Sequence, residues 1–293
     1  MLNRNNLLFK FLKLKSKVYC ILPRFLTLAI GRMTGRFLYY FFPLRKKVAT
    51  INIKIAFPNI SEAEVKKMLK RCYLHFGMLM ADFLRLPILN QKNINNLIKL
   101  DNQTKILLKE NNPCIIMTGH IGNWELFLPI LGYNNYHASG VAKTQRSKAG
   151  DRFFNWIRSC KNTKIIASKG NPIKELNKAF DDGYNLIFIS DQNAGAKGTK
   201  DTLFNATTYT PKGAAFFNIK NNSPIIYITI TMNKDHSYSI NSRKLNLENI
   251  KDSKNERIID INNAYNKQLE NSIIKYPEQY FWFHKKWDKK YYQ

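Results

Sequence analysis

Apolar residues recur at three- and four-residue steps from Val65 through Met68, Leu69, Cys72, Phe76, Leu79 and Phe83 to Leu86. That spacing predicts a long amphipathic helix, opened by a capping box at Ser61-Glu62-Ala63-Glu64 and closed by Pro87. From about residue 105 the pattern changes. Short apolar runs at Cys114–Met117, Lys164–Ala167, Leu186–Ile189 and Ile225–Ile230 read as buried strands. Between and after them, helical stretches are predicted near 123–132, 151–160, 172–181, 211–219 and 256–275. Strands alternating with helices predict an α/β fold with a mainly parallel central sheet flanked by helices.

The first 58 residues follow a different rule. Twelve Lys and Arg precede the first acid, Glu62, and apolar pairs and triplets are set among them, as in Leu7-Leu8-Phe9 and Phe37-Leu38-Tyr39-Tyr40-Phe41-Phe42. On a helix, Arg24, Arg32 and Arg36 fall within an arc of about 120°. Leu22, Phe25, Leu26, Leu28, Ala29, Ile30 and Phe37 take the other side. A cationic side against an aromatic-rich apolar side is the composition of an interfacial helix on an anionic bilayer. The ordinary alternative is a basic solvated face. The longest charge-free run is eight residues, Phe37 to Leu44, far short of the about 20 that a spanning helix wants. A tilted span over 18–44 with snorkelling arginines stays open. A cleavable signal peptide is disfavoured, because Lys10, Lys13, Lys15 and Lys17 interrupt its apolar stretch. The expected organisation is an N-terminal helical membrane-attachment region, 1–58, and a catalytic domain, 59–293.

Composition sharpens this. The chain of 293 residues is 44% hydrophobic, which supports a buried core and excludes wholesale disorder. Lys+Arg 47 against Asp+Glu 20 leaves +27, so an anionic partner is expected. Charge alone would also suit a nucleic-acid-binding protein, yet no recognisable module of that class is present. The four cysteines form no C-x-x-C pair, which disfavours a zinc ribbon, a thioredoxin-like site and a disulfide framework and suggests a reducing, cytosol-facing location.

Candidate chemistry concentrates in Cys114-Ile-Ile-Met-Thr-Gly-His-Ile-Gly-Asn-Trp-Glu125. A strand ends, glycines permit a turn, and Asn123 is placed to cap the next helix. His120 then lies at the carboxyl edge of the sheet, where open α/β folds bind ligands. Glu125 falls in the first helical turn. On one continuous helix the two would not meet, but across the turn they can. The carboxylate would fix the imidazole tautomer while the other ring nitrogen removes a proton from a substrate hydroxyl.

Gly119-His-Ile-Gly-Asn-Trp-Glu125 resembles the H-x4-D/E motif of the bacterial late acyltransferases of lipid A biosynthesis. Further stretches are similar to that family in the same order. They are Arg45-Lys-Lys-Val with Asn52 and Ala56-Phe57-Pro58, and then Ser190-Asp191-Gln192 with Gly195. Phe204 to Gly213 follows, with Asn205-Ala206 where a glycine is common, and last comes Tyr276 to Trp287, with Lys286 replacing the usual arginine. The resemblance spans roughly residues 18 to 288. It implies acyl transfer from acyl carrier protein onto a hydroxyl of a membrane glycolipid, the hydroxyacyl group of a lipid A precursor, at the cytoplasmic face of the inner membrane. His120 would be the general base and Glu125 its orienting carboxylate. Arg158 would serve the oxyanion or an acceptor phosphate, with Arg146 and Arg152 as substitutes. Asn123 and Asp191 are expected to support the site, Asp191 through a backbone bond or through Arg158. No metal or organic cofactor and no nucleic acid is called for. Two rivals remain: the same chemistry on another amphiphile (a phosphatidylinositol mannoside, a lysophospholipid or an amino lipid), and a degenerate fold that only binds lipid.

Overall fold

A computed structural model describes residues 4–248 and 253–293. Residues 1–3 of the expected attachment region lie outside that description. Three helices open the chain: α1 (Arg4–Ile21), α2 (Arg24–Phe41) and α3 (Lys46–Ala56). The break at Leu22-Pro23 divides the stretch considered as one tilted span. No helix among the described residues is long and apolar enough to cross a membrane. Helix α4 (Glu62–Leu84) begins with the expected capping box, Ser61 and Glu64 each satisfying the other's backbone N–H. Short α5 (Ile94–Leu97) and α6 (Asn102–Glu110) lead into the sheet.

The α/β part then runs β1 (Ile115–Thr118), α7 (Phe127–Tyr133), β2 (Ala138–Ala142), α8 (Lys148–Arg158), β3 (Thr163–Ala167), α9 (Pro172–Asp181) and β4 (Asn185–Ile189). A two-stranded insertion follows, β5 (Thr199–Leu203) and β6 (Ala206–Thr210). After it come α10 (Gly213–Asn221), β7 (Ile225–Met232), β8 (Tyr238–Lys244) and α11 (Lys254–Lys275). The main sheet has the order β3-β2-β4-β1-β7-β8 and is parallel except for β8, which returns antiparallel beside β7. The four expected strands are present. Sequence patterning missed β2, whose Ala-Ser-Gly-Val-Ala is too short of large apolar residues, and β8, a polar edge strand with only Tyr238 and Ile240 buried. It also missed the β5–β6 hairpin. There Phe204 (φ 51°) and Asn205 (φ 57°) are both left-handed, the backbone of a type I′ turn, and asparagine tolerates it where glycine is usual.

Buried β1 sits in the middle of the sheet, all four of its residues enclosed. One face packs against α10 and α11, with Tyr265, Leu269 and Phe217 in that core. The other carries α7 and α8, with Leu126, Ile130, Phe153 and Ile157. Helices α2 and α4 cross at backbone contact. A Cβ on Gly77 would stand 2.1 Å from the Gly31 carbonyl oxygen, and one on Gly35 2.1 Å from that of Tyr73. Arg24 therefore does not join Arg32 and Arg36 on an exposed cationic arc. Its guanidinium forks onto buried Asp82 of α4 at 2.9 and 2.7 Å. Besides exposed cations such as Lys10, Lys17, Arg32 and Arg36, α1 and α2 expose large apolar side chains: Phe11 61%, Phe25 70%, Met33 68% and Phe41 67%.

Because the α2–α4 contact has no room for a methyl group, Gly77→Ala is expected to lower stability by about 1–3 kcal/mol through overpacking. A thermal melt is the measurement. An unchanged midpoint would mean that the helices do not approach so closely.

Candidate active site

The parallel register of β1 and β4 builds the site. Thr118 stands opposite Ile189, so two residues further along each chain His120 meets Asp191. The His120 Nδ1 lies 2.6 Å from Asp191 Oδ1. An ionised carboxylate only accepts, so Nδ1 carries a proton, and the neutral tautomer this bond selects is the one with its lone pair on Nε2. Gln192 presents its side-chain nitrogen 3.3 Å from that Nε2. The carboxylate is 3% exposed and the imidazole 18%. Burial pushes the Asp191 carboxyl up, but the charge and hydrogen bond of His120, helped by Lys286, outweigh it and hold it at about 2. The edge of Trp124 meets the imidazole at 4.8 Å between centroids. His284 is 6.3 Å from it, its pKa pushed down by burial and by His120.

Glu125 does not take the place expected for it. After Gly122 the chain enters a 3₁₀ turn, Trp124–Leu126, which sends Glu125 toward the end of α8 instead. Arg158 holds it there through two bonds, Nε to Oε2 at 2.7 Å and Nη2 to Oε1 at 2.6 Å. Trp124 Nε1 donates to the same carboxylate at 3.2 Å. Thus Arg158 is partnered by Glu125, and Asp191 by His120. The Arg158 guanidinium also packs on Phe154, 4.8 Å from the ring centroid. With Lys143, Thr144, Asn155 and Ser159 it lines a cavity of about 310 Å³ at the carboxyl ends of β2 and β3. His120 is not part of that lining, so the imidazole and this cavity are separate features of one sheet edge.

Asn123 is not a side-chain cap. It is wholly buried and donates to the Tyr238 hydroxyl at 3.0 Å, which donates to Asp82 at 2.7 Å. Through Arg24 on the same carboxylate, that chain joins the turn to α2.

The turn itself is strapped by the carboxyl-terminal segment. Gly122 N–H donates to the Gln279 carbonyl at 2.9 Å, Phe281 N–H to the His120 carbonyl at 2.9 Å, and Asn123 N–H to the Ile230 carbonyl at 2.8 Å. Gly122 is left-handed (φ 63°), and a Cβ there would lie 1.8 Å from the Ile230 oxygen. The Gln279 side chain answers both polar groups of Met232, at 2.9 and 2.8 Å. Asn52 of α3 donates to the carbonyls of Trp282 and His284, both at 2.6 Å. Gln192, Gln279, His284 and Lys286 are the residues that site reasoning passed over. Each stands inside a stretch already conspicuous in the sequence, and only contact shows its use.

The model of the bacterial lipid A biosynthesis acyltransferase family matches residues 12–289. Among curated proteins no match is found.

His75 of α4 is buried, with Nε2 3.3 Å from the Gly122 carbonyl. Burial pushes its pKa down to about 4, the Gly122 bond only partly opposing. A folded state that prefers neutral imidazole binds fewer protons than the unfolded chain between about pH 6.5 and 4. This contribution, on the order of 3 kcal/mol, is therefore whole above about 6.5 and lost as pH falls toward 4. Thermal melts across that window should show it, and His75→Gln should flatten the slope. An equal slope in the variant would assign the loss to other groups.

Proposed function

The chain belongs to the bacterial lipid A biosynthesis acyltransferases, and from that premise we propose that it moves a fatty acyl chain from acyl carrier protein onto the hydroxyl of a hydroxyacyl group of a lipid A precursor. The observation that carries the reading is the imidazole at the sheet edge. It is fixed by a buried carboxylate at 2.6 Å, and its other nitrogen, met by the Gln192 amide at 3.3 Å, is the one that the acceptor hydroxyl would reach by displacing that amide. The acceptor hydroxyl gives its proton to His120 Nε2 and attacks the thioester carbonyl. The tetrahedral oxyanion collapses with breaking of the carbon–sulfur bond, and the leaving thiolate takes the proton from the His120 imidazolium. Asp191 supplies the orienting and charge-balancing role that the sequence suggested for Glu125.

Glu125 and Arg158 act beside this pair. Two guanidinium bonds go to Glu125, and a guanidinium has five N–H donors. The remaining donors, with Lys143, suit an acceptor phosphate in the adjoining cavity. No metal or organic cofactor takes part in this scheme.

We place the reaction at the cytoplasmic face of the inner membrane, with α1 and α2 lying on the bilayer. Phe11, Phe25, Met33 and Phe41 are large apolar side chains left exposed on these two helices, and clustered exposure of that kind marks an interaction surface. Lys10, Lys17, Arg32 and Arg36 are exposed among them. Each cation near an anionic surface adds about 1 kcal/mol. Acyl carrier protein, the phosphorylated acceptor and the bilayer would all be drawn by the chain's +27.

Labelled acyl carrier protein offered with a panel of lipid acceptors tests the proposal. His120→Ala is expected to cut kcat by about 10²–10⁴-fold, and Asp191→Asn to lower kcat with little change in acceptor KM. Arg158→Ala should raise acceptor KM. Wild-type turnover in His120→Ala would remove the imidazole from the mechanism. Label arriving only on another amphiphile would replace the acceptor. Mass spectrometry of membrane lipids with and without the protein reads the same outcome as a mass gain.

A further inference from the structure

One buried ion has no role in the chemistry above. Lys286 is 1% exposed, and its Nζ makes no hydrogen bond. It joins none of the ion pairs among the described residues. A buried ammonium is costly unless a charge answers it. The backbone holds it in place. Thr208 Oγ1 donates to the Lys286 carbonyl at 2.9 Å, Asn193 Nδ2 to the Trp287 carbonyl at 2.9 Å, and Trp287 Nε1 to the Leu203 carbonyl at 2.9 Å. These bonds fasten the residue to the β5–β6 hairpin and to the loop after β4, the loop that carries Asp191.

Two buried carboxylates feel its charge, Asp191 at 3% exposure and Asp201 at 7%. Asp201 accepts from Thr210 Oγ1 at 3.1 Å and Thr199 Oγ1 at 3.5 Å. Asn262 and Asn266 of α11 donate to those threonine hydroxyls at 2.6 and 3.2 Å. Their Oδ1 atoms, like Lys286 Nζ, are buried without partners. A polar cluster thus lies inside the core behind the site, and Lys286 is the cation whose charge both carboxylates feel.

We propose that Lys286 is a positioning residue for the His120–Asp191 pair, its buried ammonium being the standing counter-charge that lets Asp191 remain an anion while the imidazole is neutral. Without it, the resting site would hold a carboxylate 3% exposed with only a neutral partner. The same positive charge disfavours the imidazolium. It keeps the base from holding its proton so tightly that the leaving thiolate cannot recover it. Asp201 competes for the ammonium and weakens both effects.

The neighbouring titrations are compatible. Burial pushes Lys286 down to about 8, with Asp191 and Asp201 partly offsetting it. Burial pushes Asp201 up to about 6. Between those values the ammonium and both carboxylates are charged. Tyr265 and Tyr280, which also face Asp191, are raised by burial and stay neutral. His284 is the other titratable ring beside His120, and burial pushes it down.

The inference rests on His120 acting as the base, so its test does not depend on turnover. The full chain, labelled in its histidine rings, is titrated by NMR, with His120 assigned from the signal that His120→Ala removes. Lys286→Met is expected to raise the His120 midpoint by about one unit, tenfold in proton affinity. Lys286→Arg should restore it, and Asp201→Asn should move it the opposite way. If Lys286→Met does not fold, Asp201→Asn and Lys286→Arg still carry the test. An unmoved midpoint in the charge-changing variants, or a shift in one common direction, overturns the proposal. The expected shifts in a protein that transfers no acyl chain would support the charge coupling and overturn the acyl-transfer reading instead.

Discussion

A buried carboxylate against an imidazole is the constraint around which this molecule is arranged. Asp191 is 3% exposed, and a carboxylate so enclosed is stable only with hydrogen-bond donors and positive charge close by. His120 supplies the donor at 2.6 Å, and the parallel pairing of β1 with β4 supplies the geometry. Each group lies two residues beyond a paired strand position, Thr118 opposite Ile189. Any slip in that register would part them. The enclosed centre of the sheet makes slipping expensive, because every β1 residue is buried.

The rest of the chain holds that edge still. The turn after His120 has a backbone that would be left unsatisfied where the carboxyl-terminal segment did not cover it. Gln279 and Phe281 provide the missing partners, and Asn52 secures the same segment from the amino-terminal side. Stretches far apart in sequence are therefore one assembly in space. A second connection runs from Asn123 through Tyr238 and Asp82 to Arg24. Through it the turn is joined to α2, the helix that exposes so much apolar surface. The amino-terminal helices are part of the support of the site as well as a candidate surface for lipid.

Two arginines illustrate how context redirects a residue. Arg24 looks like a member of a cationic face and instead forks onto a buried acid. Arg158 looks like a free cation for substrate and instead has two of its donors on Glu125. The bidentate match of guanidinium to carboxylate is strong where water is excluded, so each pairing prevails over the solvated alternative.

Much was legible in the sequence because it is local. The capping box at Ser61, the period of α4 and the strands expected at 114–117, 164–167, 186–189 and 225–230 all follow from residues a few positions apart. So does the placing of His120 on a strand-to-helix turn. The ordered stretches from Arg45 to Trp287 pointed to the family whose model matches residues 12–289. Strands β2 and β8 were not legible, since a small-residue strand and a polar edge strand carry little hydrophobic signal. Nor was the carboxylate partner of His120. Glu125 is five residues away and Asp191 is seventy-one, and nothing along the chain says which strand will lie beside β1. Strand order and the burial it creates decided that, and with it the company kept by Lys286.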